Sequence, residues 1–523
     1  MTRQSLSPQT EELAPTSRSP LSRLRRLAAT ESIGADLDTN DLHGKVRRGL
    51  GWKLANVGIG QGTEIVISII LAHLLLPHDF GLAGLAIVFS GIFLQFADVG
   101  LGAALVRRKT ITEEDRSTVF WASAAAGVAL MFVGVALSPL IAAFFSNSQV
   151  IPLFVVLSTT FLFSSLGQTQ SALLTREMSF RSLEVRNIVA TLVGAIIAVF
   201  VALAGGGAWA IIAQVVFTSA ASTLMLWTVS PWRPRWLFSR ESFRTLGSFG
   251  VKTLGMRMLG WANQNTDNLL VGRALGSAAL GIYSVAYNVM VLPTSNITSP
   301  LRDVLYAAFA RLHDDPSRLG NVWLRINNVA GSVLVPAFLG LAAVAPDFVP
   351  VVLGPHWNEA IPVLQLLCLG GAAQSLQAFN GQVYQALGRP GLFLRFLCFA
   401  TAVMIAGFGI GLLWGVVGVA GSYAVTRMIM LVSNSIQMSR LMEFDLWRIV
   451  RSYVDIFARA GVMGAAVYAG RLALVDLDVP AGLRLAILVV GGTLIYLAVT
   501  MAVAPDLVRD ARDGILRRRV VTA

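Results

Sequence analysis

The sequence predicts an all-α polytopic membrane protein with 14 transmembrane helices: two six-helix lobes around a central cleft, plus two C-terminal helices. Three observations predict it. Of 523 residues, 55% are hydrophobic and only 13% are charged, and the mean hydropathy is +0.67. A soluble domain carries about 25% charged residues, and a chain this long would need several such polar-coated domains. An ordinary soluble enzyme, a disordered chain and a coiled coil are therefore excluded. Apolar runs of about 20 residues, the length that crosses a bilayer core, recur from residue 50 onward. The basic residues fall in every second connection between those runs.

Residues 1–49 form a polar, basic tail rich in Ser, Pro, Thr and Arg, expected to be disordered and cytoplasmic. It has no apolar h-region and so does not read as a cleavable signal peptide. The first lobe, 50–229, holds spans at 51–75, 82–106, 118–145, 150–173, 185–204 and 207–229. A cytoplasmic inter-lobe loop follows at 230–245. The second lobe, 246–438, holds spans at 246–271, 279–308, 322–345, 361–386, 391–413 and 415–438, of which the first two carry polar residues throughout. The last pair, 455–474 and 482–504, lies within 455–504, and a basic cytoplasmic tail, 505–523, closes the chain. The longest internal connections, near 230–245, 309–321 and 439–454, are too short for an extramembrane catalytic domain.

Charge tests this order, because Lys and Arg in short loops mark the cytoplasmic side. With the N-terminus inside, the inner connections hold nineteen basic residues, from Arg107 to Arg451. The outer connections hold only Arg273, Arg471 and Arg484. A wrong span count would scramble this alternation downstream of the error. Both termini are thus expected in the cytoplasm, and the net charge of +12 belongs mostly to inner loops and tails beside anionic lipid.

An internal repeat divides the chain. Phe80-Gly81-Leu82 and Leu85-Ala86 return as Leu280-Gly281-Ile282 and Val285-Ala286, 200 residues later without a gap. Gly60 likewise returns as Gly260. The second copy opens at the seventh span. An even offset of six spans makes the repeat parallel, related by an axis along the membrane normal.

Several segments together carry a family likeness. They are Gly51-Trp52, Leu74-Leu75-Leu76-Pro77 with Phe80-Gly81-Leu82, Asp98-Val99-Gly100-Leu101-Gly102-Ala103-Ala104-Leu105-Val106-Arg107-Arg108, and Thr112-Glu113-Glu114-Asp115 with Phe120-Trp121. In the second lobe they are Asp267-Asn268-Leu269-Leu270-Val271-Gly272-Arg273, Leu280-Gly281-Ile282-Tyr283 and Ala286-Tyr287. From about residue 48 to 450 the sequence resembles the polysaccharide (O-antigen-type) flippases of the multidrug/oligosaccharidyl-lipid/polysaccharide exporter superfamily. The tail before residue 45 has no counterpart in that pattern. The resemblance implies a flippase that translocates undecaprenyl-pyrophosphate-linked oligosaccharide across a bacterial cytoplasmic membrane, for lipopolysaccharide or other cell-surface polysaccharide biosynthesis. Its implied partners are the lipid-linked glycan, membrane lipids and the glycosyltransferases or polymerase of the same pathway.

Ionisable groups inside spans cost about 2.5–3.5 kcal/mol each on insertion scales and so face a cavity or a partner. A pyrophosphate needs fixed cations in a low-dielectric cleft. Lys252, Arg257, Arg302 and Arg427 are the candidates, with snorkelling at the cytoplasmic edge as the bland alternative for Lys252 and Arg302. Trp261, Asn263 and Gln264, with Gln374, Gln377 and Asn380, offer amides and a ring to sugar hydroxyls, and serve equally for interhelical hydrogen bonds. Glu64, Asp98 and Asp267 are candidate coupling or gating carboxylates.

No catalytic residue, metal or cofactor is expected. Cys368 and Cys398 sit in apolar runs, and the five histidines lack zinc-ligand spacing. Gly247-Ser248-Phe249-Gly250-Val251-Lys252-Thr253 lacks the glycine before lysine that a phosphate loop requires. Nucleic acid is excluded as a partner by the same membrane reading. Two rival functions remain at this stage: a cation-coupled small-molecule exporter of the same superfamily, which typically has twelve spans, and a membrane polysaccharide polymerase, which needs a sizeable outer loop or cytoplasmic domain.

Overall fold

The computed structural model describes residue 60 and residues 62–97, 101–108 and 110–503; at 245–254, 256, 296, 299, 300, 303 and 304 it describes the backbone alone. The expected tails therefore lie outside the described residues. The described residues form helices and short connections, with no strand among them. In chain order the helices are α1 (Gly62–Leu74), α2 (Pro77–Ala97), α3 (Leu101–Arg107), α4 (Glu113–Phe145), α5 (Val150–Arg176), α6 (Phe180–Leu203) and α7 (Ala208–Val229). The second half begins with α8 (Arg240–Ala310) and α9 (Pro316–Phe348). It continues with α10 (Ala360–Ser375), α11 (Asn380–Ala386), α12 (Pro390–Gly411) and α13 (Gly415–Leu441). The last pair is α14 (Leu446–Asp476) and α15 (Ala481–Val503). Ten helical segments among the described residues are long and apolar enough to cross a membrane, and two of them, Arg257–Ser295 and Pro390–Leu441, each run through all or part of two expected spans.

Local sequence explains the ends. At α4, Thr112 and Asp115 form a reciprocal capping box, and three acidic residues occupy the first turn, where they favour the positive end of the helix. Asp315 caps α9 ahead of Pro316, whose fixed φ suits a first turn. Asp445 caps α14 through the amide of Trp447. Two expected spans, 246–271 and 279–308, are the arms of one helical run, broken at Gly276 with φ 83° and ψ −175°, a conformation that a side chain would strain. The tenth expected span, 361–386, is two helices, α10 and α11, because residues 376–379 leave the helical path. Elsewhere the helices overrun the expected spans, as α4 and α9 do, since a helix needs no apolar residues once it enters the headgroup layer.

The two halves meet at Gly81 and Gly281. A Cβ on Gly81 would lie 1.6 Å from the carbonyl oxygen of Ser277, and a Cβ on Gly281 would lie 1.8 Å from that of Pro77. Position 277 is 77 displaced by 200, and 281 is 81 displaced by 200. The contact is thus its own mirror under the repeat, as at a two-fold interface. Only two glycines let α2 and the second arm of α8 approach this closely. Around this crossing Leu85, Ala86, Val271, Leu280 and Tyr283 are buried in one core shared by both lobes. Nearby, Trp357 donates its indole N–H to the Ala72 carbonyl at 2.8 Å and meets the Phe80 ring edge-on at 5.1 Å.

The three arginines of the connections expected outside all have partners. Arg273 lies over the Phe144 ring, 5.9 Å from its centroid. Arg471 donates through Nε to Asp347 at 2.8 Å, and Arg484 does the same from the next helix. One buried carboxylate thereby ties α9, α14 and α15 together. Between those helices runs an apolar groove of about 610 Å³, walled by Val333, Pro336, Leu341, Leu488 and Leu497.

Candidate functional site

A polar cluster within the apolar core lies in the second lobe and joins both arms of α8 to α10 and α13. Asp267, on the first arm of α8, is 3% exposed. It accepts hydrogen bonds from the Tyr283 hydroxyl at 2.9 Å and from the Asn268 amide at 2.8 Å. Tyr283 and Tyr287 are four residues apart on the second arm and stack with ring centroids 6.1 Å apart. Tyr287 meets Tyr423 of α13 edge-on at 6.0 Å. The Tyr423 hydroxyl donates to Gln374 of α10. Arg427, one turn beyond Tyr423, lays its guanidinium over the Tyr423 ring, 4.8 Å from the centroid. Its Nε is buried with no hydrogen-bond partner among the described residues, and its charge acts on Asp267. The cluster therefore joins one carboxylate and one guanidinium through three phenols, with one donor left over.

The Gly276 break explains how Asp267 and Tyr283 meet. Each arm of α8 leaves the break antiparallel to the other, and at 1.5 Å rise per residue Asp267 and Tyr283 both lie about 10–14 Å from it. Arg257 lies about 28 Å along the first arm, and Lys252 and Arg302 lie about 36 and 39 Å along their respective arms. Distance from the break thus places Arg257 between the cluster and the basic end, with Lys252 and Arg302 near that end. Arg257 is half-buried and has a partner. Arg302 is exposed, and the Lys252 side chain lies outside the described residues. Lys252 and Arg257, five residues apart, are about 140° apart around the helix.

The amides expected to meet sugar hydroxyls are largely engaged between helices. Asn263 donates to Thr401 of α12 at 2.9 Å. Gln374 accepts from Tyr423, and Gln377 accepts from Asn434 at 3.4 Å. Asn380 accepts from the Trp323 indole at 2.9 Å. Trp261 packs its indole against Gly91 of α2, across the lobe boundary. Gln264 alone of this set is exposed. Glu64 is exposed on α1, and Asp98 lies outside the described residues. Composition identified polar residues in these spans correctly, but a single polar helix reads the same whether it faces a ligand or a neighbouring helix. The phenols of the cluster were missed as site residues; the i, i+4 spacing of Tyr283 and Tyr287 downstream of Asp267 was the available signal.

A family profile described as polysaccharide biosynthesis protein matches residues 70–362. The lipopolysaccharide biosynthesis protein WzxC of Escherichia coli (strain K12) is 30% identical over 391 residues, covering 74% of this chain and 80% of that one. The teichuronic acid biosynthesis protein TuaB of Bacillus subtilis (strain 168) is 27% identical over 427 residues, covering 80% and 87%. Among solved structures, the lipid II flippase MurJ in an inward closed conformation superposes with a TM-score of 0.71 at 15% identity, covering 86% of this chain and 99% of that one.

Proposed function

This chain belongs to the polysaccharide biosynthesis protein family, and we propose that it translocates an undecaprenyl-pyrophosphate-linked oligosaccharide across the bacterial cytoplasmic membrane by alternating access. The reciprocal crossing of Gly81 and Gly281 carries the reading. Two like lobes touching along a shared axis rock about that contact, which exposes the space between them to one leaflet and then the other. The name of the structural relative MurJ, a lipid II flippase, supports a lipid-linked cargo. The names of WzxC and TuaB support a glycan destined for the cell surface.

Both termini and the basic connections are assigned to the cytoplasm, because nineteen basic residues lie on that side. Lys252 and Arg302 then receive the pyrophosphate near the inner leaflet, and Arg257 holds it deeper in the cleft. Bidentate guanidinium donors suit its oxygens. Gln264 and Trp261 are the sugar contacts retained, since the other amides of the set already bond between helices. Asp267 is the coupling carboxylate: it is buried, and its charge is balanced by Arg427 and answered by Tyr283. Glu64 and Asp98 stand as secondary gating groups. The apolar groove between α9, α14 and α15 accommodates the prenyl chain while the head crosses. Glycosyltransferases and the polymerase of the pathway supply and consume the cargo.

The test is Arg257→Ala in the cell that makes the protein. Surface glycan falls while full-length protein stays in the membrane at the normal level. Normal export at matched expression would overturn the assignment of Arg257.

A further inference from the structure

At the basic end of the second lobe, α11, α12 and α13 surround a cavity of about 390 Å³. Arg389, Arg395 and Arg440 line it, and no carboxylate does. None of the three guanidiniums makes a hydrogen bond, ion pair or ring contact with another described residue. Three guanidiniums that share one cavity without a counter-charge leave their donors open to an anion. All three are exposed at the mouth of the cavity, unlike Arg471 and Arg484, which are largely buried and settle on the carboxylate of Asp347.

The rest of the cavity fits an anion carried on an apolar chain. Arg389 and Arg395 share the wall of α12 with Leu392, Phe396 and Phe399, at spacings of three, four and seven that keep one helix face together. Leu392 and Phe399 are exposed, so the cavity opens beside lipid-facing surface. Arg389 stands at the N-terminal cap of α12, where no side chain bonds the first-turn amides, so the positive end of the helix adds to the three cations. Across the cavity, the buried Tyr384 donates its hydroxyl to Oε1 of Gln437 at 2.8 Å. That bond fixes the Gln437 amide so that its N–H₂ remains as a neutral donor on the wall formed with Arg440.

We propose that this cavity is a binding site for the phosphate headgroup of a lipid at the basic face of the membrane. The phosphate engages Arg389, Arg395 and Arg440, and the chain lies against Leu392, Phe396 and Phe399. The site is separate from the inter-lobe cations and stands whether or not the chain moves a glycan. Its chemistry suits two lipids, an anionic phospholipid and a prenyl pyrophosphate.

Full-length protein purified in a non-ionic detergent tests this, with bound lipid counted by native mass spectrometry during titration. The probes are phosphatidylglycerol, undecaprenyl pyrophosphate, diacylglycerol and inorganic pyrophosphate. Phosphatidylglycerol or undecaprenyl pyrophosphate binds, and the Arg389→Gln/Arg395→Gln/Arg440→Gln variant binds it about tenfold or more weaker. Tighter binding of undecaprenyl pyrophosphate identifies a docking point for a prenyl-linked cargo; tighter binding of phosphatidylglycerol identifies a bilayer-lipid site. The triple Arg→Lys variant keeps the charge and retains binding within a few-fold, which separates loss of the site from loss of the fold. Equal affinity in wild type and the Gln variant overturns the proposal. So does binding of diacylglycerol or inorganic pyrophosphate as tight as that of either phosphate lipid.

Discussion

In the first lobe the described cations of the basic end are engaged. Arg108 bonds Asp115 at 2.6 Å, Arg116 bonds Glu113 at 2.9 Å, and Arg176 caps the carbonyls of Leu105 and Val106 at 3.2 Å each. The Trp232 indole adds a bond to Glu113 at 3.0 Å, which pins the connection between the lobes to the first of them. At the same end of the second lobe, Arg389, Arg395 and Arg440 surround a cavity with no carboxylate. Deeper in the membrane the contrast recurs in another form. Asp267, Tyr283 and Tyr287 of the second lobe correspond, 200 residues earlier, to Ile67, Ala83 and Ile87. The repeat thus preserves the backbone crossing at Gly81 and Gly281 while the chemistry has diverged. One lobe pairs its charges within itself, and the other holds a buried carboxylate–phenol–guanidinium cluster and an arginine-lined cavity without a carboxylate.

The similarity at the crossing gives the largest expected effect. Gly81→Val and Gly281→Val each place side-chain atoms against a backbone carbonyl that lies under 2 Å from an added Cβ. Both abolish export and lower the amount of folded protein, to the same extent. Export assays and membrane protein levels check this; a severe loss in one variant beside a mild loss in the other would break the two-fold relation.

The next effect tests the divergence inside the membrane. Asp267→Asn keeps the Tyr283 hydrogen bond but removes the charge that faces Arg427, and export falls by about tenfold or more, equivalent to about 1.4 kcal/mol. Ile67→Val, at the matching place in the first lobe, leaves export near normal. Transport into proteoliposomes of labelled lipid-linked sugar reads both, and equal effects would remove the distinction between the lobes.

The smallest effects contrast the basic ends. Asp115→Ala removes a helix cap and the partner of Arg108, and lowers stability by about 1–3 kcal/mol. Arg440→Gln removes a charge that no described residue answers and changes stability by no more than about 0.5 kcal/mol. Unfolding of the purified variants measures the difference. A destabilisation by Arg440→Gln as large as that by Asp115→Ala would make the second-lobe arginines structural as well.

The fold was largely legible because the bilayer imposes a length on every span and confines most cations to one side. Runs such as 150–173 and 391–413 coincide with α5 and α12 for that reason. Break points were less legible. The turn at 376–379 and the continuity of α8 through Gly276 depend on neighbours that the local pattern of apolar residues does not reveal. Of the candidate site, Asp267 and Arg427 were identifiable as charges inside spans. The engagement of Asn263 with Thr401, 138 residues away, was not, because an amide's partner is set by which helix packs beside it.

By itself the sequence determined that this is a multi-pass helical membrane protein with a two-fold internal repeat. Hydropathy, charge side and glycine spacing are local quantities, and a membrane converts them directly into spans and topology. Only the tertiary structure decided which charges are engaged. Asp347 finds Arg471 and Arg484 from across 124 and 137 residues, while Arg389, Arg395 and Arg440 converge with no acid between them. Ion pairing and cavities arise from the meeting of distant helices, and no window of sequence contains that meeting.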